Sequence, residues 1–321
     1  MRTDEQRTSR TNHHPRGAAK WYDSVTALGP TDIQLDAGVW ALLGPNGAGK
    51  TTFLELIAGQ LKPSLGACSI GGEPCFANSD VLRRIGYAPS SDRLYDELTV
   101  NEFVFGMAKL SGLDDLHATE RVDVMMQAFD LSGDQDRHIG DLSRGIRQRV
   151  KLAQAQVHDP DILLLDEPLS GTDPRSRFAI IENIRSFAKR GKLVIVSTHV
   201  LHEAEALTDN IILIAKGQLI ATGDRKQIRE LLDEHPHQIR IESSDARAIA
   251  SALMNEPSIV ATRLIAPNVL QVDAQSVEKA FDAIARSIVS GGLALDEMYS
   301  ADDNLEAVFN YLLASRGPRP S

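Results

Sequence analysis

Short, wholly apolar runs alternate along the first two-thirds of this chain with stretches in which apolar side chains recur every three or four positions. Residues 162–165 (ILLL) and 193–197 (LVIVS) are apolar or β-branched throughout, the pattern of strands buried on both faces. Residues 177–189, between them, have helical periodicity. Residues 39–43 (VWALL) lead into a glycine-rich loop, and after it Phe53, Leu54, Ile57 and Ala58 share one face of a helix that ends at Gly59. Residues 21–43 as a whole contain short runs broken at Gly29-Pro30 and Ala37-Gly38, which predict a small antiparallel sheet. Residues 101–110 and 118–129 are periodic as helices and form a helical insert. Residues 211–215 and 218–221, joined at Lys216-Gly217, read as a hairpin.

The character changes after about Pro236. Residues 238–242 predict a strand and 246–254 a helix. Residues 259–265 and 269–272 form a strand pair split by Pro267-Asn268, followed by a helix at 277–288 and a strand at 293–298. That order, βαββαβ, is the split βαβ arrangement of a ferredoxin-like domain. A last helix is expected at 305–313. The chain therefore divides into a tail (1–16), a large domain (17–235) and a small α+β domain (236–321).

Composition narrows the partners. A net charge of −10 argues against nucleic acid, which calls for a basic face. Two cysteines, Cys68 and Cys75, with six residues between them and without a histidine cluster, suit neither a disulfide scaffold nor a zinc site, so reduced thiols are expected. No apolar run approaches the roughly 20 residues that span a bilayer. The polar, basic start lacks the apolar stretch of a signal peptide and reads as a disordered tail. A cytosolic chain is expected, tied to a membrane only through a partner.

Residues 44–51, GPNGAGKT, match G-x-x-x-x-G-K-[ST] between a buried strand and a helix. Gly44, Pro45, Asn46, Gly47, Ala48 and Gly49 let consecutive backbone N–H groups turn toward phosphate oxygens, and the helix start adds partial positive charge. Lys50 supplies a point charge for β- and γ-phosphates. The Thr51 hydroxyl, with Thr52 beside it, can ligate Mg²⁺. Residues 162–168, ILLLDEP, end a buried strand in Asp166 and Glu167. Such carboxylates are costly there unless they meet a cation or a reacting water. The first suits Mg²⁺ and the second suits polarisation of water. His199, just past the strand ending at Ser197, is placed for delivery to the γ-phosphate. ATP and Mg²⁺ are the expected ligands.

With these residues in view, the chain resembles the ABC-type ATPases over about residues 21–229. LSRGI (142–146) resembles the family's signature, usually LSGGQ, with Arg144 in place of the first glycine; Ser143 and Gly145 are retained. SGTDP (170–174), with Asp173, is similar to the D-loop, and STH (197–199) to the switch-histidine loop. Tyr22 matches the aromatic that stacks on adenine, with Trp21 as rival. Alignment on Gly86-Tyr87 and Leu94-Tyr95 puts Ser90 where the family has a glutamine that reaches Mg²⁺. Its shorter side chain needs an inward loop or a bridging water. The resemblance implies an α/β P-loop NTPase: a RecA-like core with an antiparallel β subdomain and a helical signature subdomain. It also implies a homodimer, or a pair with another ATPase subunit, in which Ser143, Arg144 and Gly145 face the partner's nucleotide. Arg147, Arg149 and Lys151 read as surface residues of the signature helix. The word order YDELTV, GIRQRVKLAQA, HVLHEAEALTD and NLEAVFNYLL is similar to ATPase subunits of exporters with a separate membrane permease, peripheral on the cytoplasmic face. A soluble ABC-type ATPase and a low-turnover regulatory subunit are the alternatives.

Overall fold

The structure, a computed structural model, describes residues 17–224, 237–254 and 256–300. The expected tail (1–16), the helix at 305–313 and the boundary at 235/236 lie outside the described residues. The chain forms two compact units, Met1–Ile220 and Ala221–Ser321.

The first unit is built on a six-stranded sheet. Its strands are β3 (Gly38–Leu43), β6 (Ile85–Ala88), β7 (Ile162–Asp166), β8 (Leu193–Thr198), β9 (Asn210–Ala215) and β10 (Gln218–Asp224), in the order β10-β9-β3-β8-β7-β6. From β9 to β6 all neighbours run parallel. Alternation of side chains across a strand sends Leu163, Leu165, Val194 and Val196 into one core, while Ile162, Leu164 and Ile195 enter another on the opposite face. That is why these strands read as continuous apolar runs: neither face is free for polar groups.

One core is closed by α1 (Lys50–Ile57) through Phe53, Leu54 and Leu56, with Val81 of the short helix α2 (Ser79–Leu82) in the same core. The other is closed by α3 (Val100–Leu110), α4 (Asp115–Ala128), α5 (Arg144–Gln156) and α6 (Pro174–Lys189). Their starts are written locally. Thr99 and Glu102 form a reciprocal capping box, Asp114 caps α4, and Asp173 caps α6 ahead of Pro174. The antiparallel sheet expected across residues 21–43 is smaller than that. Only β1 (Ala18–Tyr22) and β2 (Val25–Thr31) pair antiparallel, whereas β3, apolar on both faces, joins the parallel sheet.

In the second unit the strands His237–Glu242, Ile259–Ala266, Val269–Ala274 and Glu297–Ser300 form one antiparallel sheet. The first and third strands are central, the second and fourth at the edges. With helices Ala246–Leu253 and Val277–Gly291 this is the expected split βαβ topology. The last strand starts later than residue 293. The helix before it runs on to Gly291, Gly292 closes it at φ 62°, and the Leu293 N–H bonds the Ile288 carbonyl, so pairing begins at Glu297.

Gly86 on β6 packs closely beneath the Ala155 carbonyl of α5. A methyl group there would fall well inside contact distance of the Ala155 carbonyl oxygen and against Pro160. Gly86→Ala is therefore expected to destabilise the first unit by about 1–3 kcal/mol, a fall of several degrees in melting temperature. Thermal denaturation followed by circular dichroism checks it; an unchanged melting temperature would show that the helix can step back freely.

Candidate nucleotide site

The loop from β3 into α1 is held by backbone. Ala48 N–H bonds the Pro45 carbonyl, and Gly217 N–H bonds the Ala48 carbonyl. Gly49, at φ 104°, caps α1, and a Cβ there would press on the Ala27 carbonyl. Both conditions admit only glycine. Lys50, 6% exposed, donates to the carbonyls of Gly44 (2.8 Å) and Pro45 (3.2 Å) and stands 3.9 Å from Glu167 Oε1. Burial lowers its pKa, and the Glu167 and Asp166 carboxylates oppose that shift.

Asp166, 2% exposed, ends β7 directly opposite Ser197 of β8. It accepts hydrogen bonds from the Thr51 hydroxyl (Oδ2, 2.8 Å) and from the Ser197 hydroxyl (Oδ1, 2.5 Å). Below it, burial and the Asp166 charge raise the pKa of Glu55, and burial, Asp166 and Glu55 together raise that of Tyr87. Hard oxygen donors crowded with negative charge are the donor set that Mg²⁺ takes, so Thr51 and Asp166 fit that ion.

Glu167 has φ 51°, a left-handed conformation that costs a residue with a side chain about 1–3 kcal/mol. Its N–H is fixed by the Ser197 hydroxyl (2.9 Å) and carbonyl (3.2 Å). The turn aims the carboxylate at His199, whose Nδ1 is 3.0 Å from Oε1. Behind the histidine, the buried pair Thr198–Glu203 (2.6 Å) anchors the start of α7 (Leu201–Leu207), and Arg177 lies 3.7 Å from Glu203.

A cleft of about 420 Å³ joins these groups. Its walls are Asn46, Gly47, Ala48, Gly49, Lys50, Thr51 and Thr52, with Ser90, Asp166 and Glu167 on one side and Val25, Thr26 and Ala27 on the other. Tyr22 is not in the lining. It is 47% exposed, with the Lys20 ammonium 5.0 Å from its ring centroid, and pairs in register with the lining residue Val25, so it stands beside the mouth. Ser143, Arg144 and Gly145 are absent from the lining too. Ser143 caps α5, accepting from Ile146 N–H at 3.5 Å. Asp173 caps α6 through Arg175 N–H and Ser176 N–H.

The expectation that Arg147, Arg149 and Lys151 are plain surface residues fails. Lys151 is 2% exposed and donates to the carbonyls of Pro89 and Ser91 and to Asp92 Oδ1, at 3.2–3.3 Å. Burial lowers its pKa, with Asp92 opposing. Arg147 reaches the Asp92 carbonyl and the Asp96 carboxylate, and Arg149 the carbonyls of Phe129 and Asp130. Carbonyls in the loop after β6 draw Lys151 and Arg147 inward, and carbonyls just past α4 draw Arg149. Sequence reading also missed Ser197, Gln148 and Glu55. Gln148, buried, donates to the Pro168 carbonyl and so ties α5 to the segment after Glu167. The signal for Ser197 was its register with Asp166; Gln148 and Glu55 have no comparable sequence mark.

A phosphate loop on a parallel sheet, with two successive carboxylates brought to it from the next strand but one, defines a P-loop nucleotide hydrolase. The ABC transporter family matches residues 30–170. The Nod factor export ATP-binding protein I of Burkholderia orbicola is 39% identical over 210 residues, covering 65% of this chain and 69% of that protein. The daunorubicin/doxorubicin resistance ATP-binding protein DrrA of Streptomyces peucetius is 31% identical over 297 residues, covering 89% and 90%. A solved ATP binding subunit of an ABC transporter superposes with a TM-score of 0.62 at 28% identity, covering 68% of this chain and 92% of its own. The chain belongs to the ABC transporter family, as an ATP-binding, ATP-hydrolysing subunit.

Lys151→Met removes the donor from two loop carbonyls. It is expected to cost about 1–3 kcal/mol of stability and to lower turnover through the loop that carries Ser90, with ATP affinity nearly unchanged. Melting temperature, nucleotide titration and steady-state phosphate release check it; full turnover would show that the loop holds without the lysine.

Proposed function

We propose that this subunit powers an exporter as a head-to-tail nucleotide-sandwich dimer, bound to a separate membrane permease at the cytoplasmic face. The observation that carries the dimer is the incompleteness of the cleft: Lys50, Thr51, Asp166 and Glu167 converge on it, while Ser143, Arg144 and Gly145 do not line it. Export is supported by the names of the relatives from B. orbicola and S. peucetius. Similarity to the latter extends over nearly the whole chain, which supports an accessory role for residues 236–321 alongside an ATPase domain at 17–235. Among the described residues no helix is long and apolar enough to cross a membrane, so coupling falls to a partner.

In this reading the backbone of residues 44–51, with Thr52, cradles the phosphates of ATP, and the Lys50 ammonium balances charge on the β- and γ-oxygens. Tyr22, beside the mouth, stacks on adenine. Thr51 and Asp166 would hold Mg²⁺, which when bound offsets the charge that develops on the transferred phosphoryl group. Glu167 accepts a hydrogen bond from the attacking water and polarises it toward the γ-phosphate. His199, held by Glu167, orients that carboxylate and reaches the same phosphate. Ser143 Oγ and the Gly145 N–H of the second copy close the site from the other side, next to its Asp173 loop. Ser90, on the cleft wall with a hydroxyl too short to replace a glutamine, would reach the ion through water, which is nearly as favourable as a direct bond.

Glu167→Gln should keep ATP binding, lose about 10²–10⁴-fold in turnover and accumulate an ATP-dependent dimer on gel filtration. Ser90→Ala should lose less than about tenfold, because bridging water tolerates the change. Equal losses in the two variants, measured with the permease present, would make the Ser90 hydroxyl a required ligand. Ser143→Arg alone should be inactive with normal monomer affinity for ATP, and mixing it with Lys50→Ala should restore one composite site per dimer. A confirmed heterodimer no more active than its parents would overturn the head-to-tail arrangement.

A further inference from the structure

Cys68 and Cys75 are the chain's two cysteines, and the fold brings them together outside the nucleotide cleft. They flank a two-stranded hairpin, β4 (Ser69–Ile70) with β5 (Glu73–Pro74), in which Ser69 faces Pro74 and Ile70 faces Glu73. The same register puts Cys68 directly opposite Cys75, and the Cys75 N–H bonds the Cys68 carbonyl at 3.0 Å. Facing residues of an antiparallel pair have Cα atoms about 4.5–5.5 Å apart, inside the range of about 4.4–6.8 Å that a disulfide spans. The side chains already point at each other: the two Sγ atoms are 3.2 Å apart, in S–H···S contact. Closing to a bond length of about 2.0 Å asks for roughly an ångström of side-chain movement in a short hairpin, with no change of register.

We propose that Cys68 and Cys75 are a reversible oxidation site at which a peroxide forms an intrachain disulfide. The pair is suited to the chemistry as well as the geometry. When one thiol ionises, the S–H of the other holds the thiolate across the 3.2 Å contact, so the first proton leaves the pair more readily than the second. The thiolate attacks a peroxide oxygen, breaking the O–O bond to give a sulfenic acid and a hydroxide. The neighbouring sulfur then displaces the sulfenic hydroxide and the S–S bond forms. Two thiols lose two electrons to the peroxide, and their protons leave with the two oxygens as two waters. Cys68, half-buried on the wall of a cavity, is the sulfur open to peroxide in the first step and to reductant in the return step, while Cys75, 0% exposed, is the resolving sulfur behind it.

The site also has a mechanical consequence. Cys75 belongs to the core that includes Phe53, Leu54 and Leu56 of α1, and its carbonyl lies so close to Gly59, just past the end of that helix, that a Cβ on Gly59 would strike it. The disulfide therefore staples the two strands of the hairpin together where Cys75 packs against the far end of the helix whose near end carries Lys50 and Thr51.

The test uses the full chain, treated with hydrogen peroxide and then with an alkylating maleimide. The expected product loses the mass of two hydrogen atoms, resists alkylation at both cysteines, yields a 68–75 cross-linked peptide, and regains both thiols in dithiothreitol. Its melting temperature should rise by a few degrees relative to the reduced chain, as a closed loop constrains the unfolded state. Cys68→Ser, at the half-buried position, should abolish the cross-link. Two alkylatable thiols after peroxide, oxygen added to either cysteine without a cross-link, or chains joined to each other would overturn the site. A confirmed cross-link with an unchanged or lower melting temperature would overturn the staple. None of these readouts depends on ATP turnover.

Discussion

The carboxylate of Asp166 is the point on which the site is assembled. It sits at the end of a strand buried on both faces, where an unpaired charge would cost several kcal/mol or more. Two hydroxyls answer it from different elements, Thr51 from the phosphate-loop helix and Ser197 from the next strand. Each bond also fixes its donor. Thr51 is thereby held where a metal ion on Asp166 would meet it, and Ser197 is held where its oxygen receives the Glu167 N–H. The left-handed turn at Glu167 is supported by that one serine, and the turn is what brings Oε1 to His199. The phosphate loop, the Thr51 hydroxyl and the Glu167 carboxylate are thus linked through one buried charge.

The parallel sheet exists to make that convergence possible. Residues 166 and 197 are neighbours only because β7 and β8 run in the same direction and end together. Both loops then emerge at the same edge as the start of α1, the carboxyl end of the sheet where α/β proteins hold their ligands. Apolar side chains on both faces fix the strands in register, since a slip of one residue would exchange the contents of the two cores. The precision of the polar site is therefore set by the packing beneath it.

Much of this was legible in the sequence, for physical reasons that can be named. The strands announced themselves at 162–165 and 193–196 because double burial removes every polar position from those runs. The phosphate loop was legible because its glycines answer backbone constraints that other residues cannot meet, as at Gly49. The second unit's topology followed from element order alone. What escaped was the partnering of long polar side chains. Lys151, Arg147 and Arg149 lie in a helix with ordinary polar periodicity, and nothing local says that loop carbonyls fifty or more residues earlier draw Lys151 and Arg147 inward. Gln148 escaped for the same reason. Cys68 and Cys75 looked unremarkable because a two-residue strand pair is too short to show a period, so their facing positions appeared only with the register.

Those inward cations give α5 a role beyond carrying the signature residues. Ser143 opens the helix with its hydroxyl in its own cap. One turn further in, Gln148 grips the carbonyl of Pro168, directly after the carboxylate pair. Lys151 then grips the loop of Pro89, Ser91 and Asp92 on either side of Ser90, and Arg144 stands 3.6 Å from the same Asp92. A rigid helix held at both places cannot shift its start without pulling on the carboxylate segment or on the Ser90 loop. Buried bonds to lysine and glutamine are suited to this, because breaking one leaves an orphaned carbonyl or an unpaired charge, and that resists sliding better than apolar contact does. In the proposed dimer, a force exerted on Ser143 and Gly145 by the second copy's nucleotide would be delivered to the walls of this chain's own cleft. The loop around Ser90 needs no glutamine to feel it, since its backbone is already in the grip of Lys151.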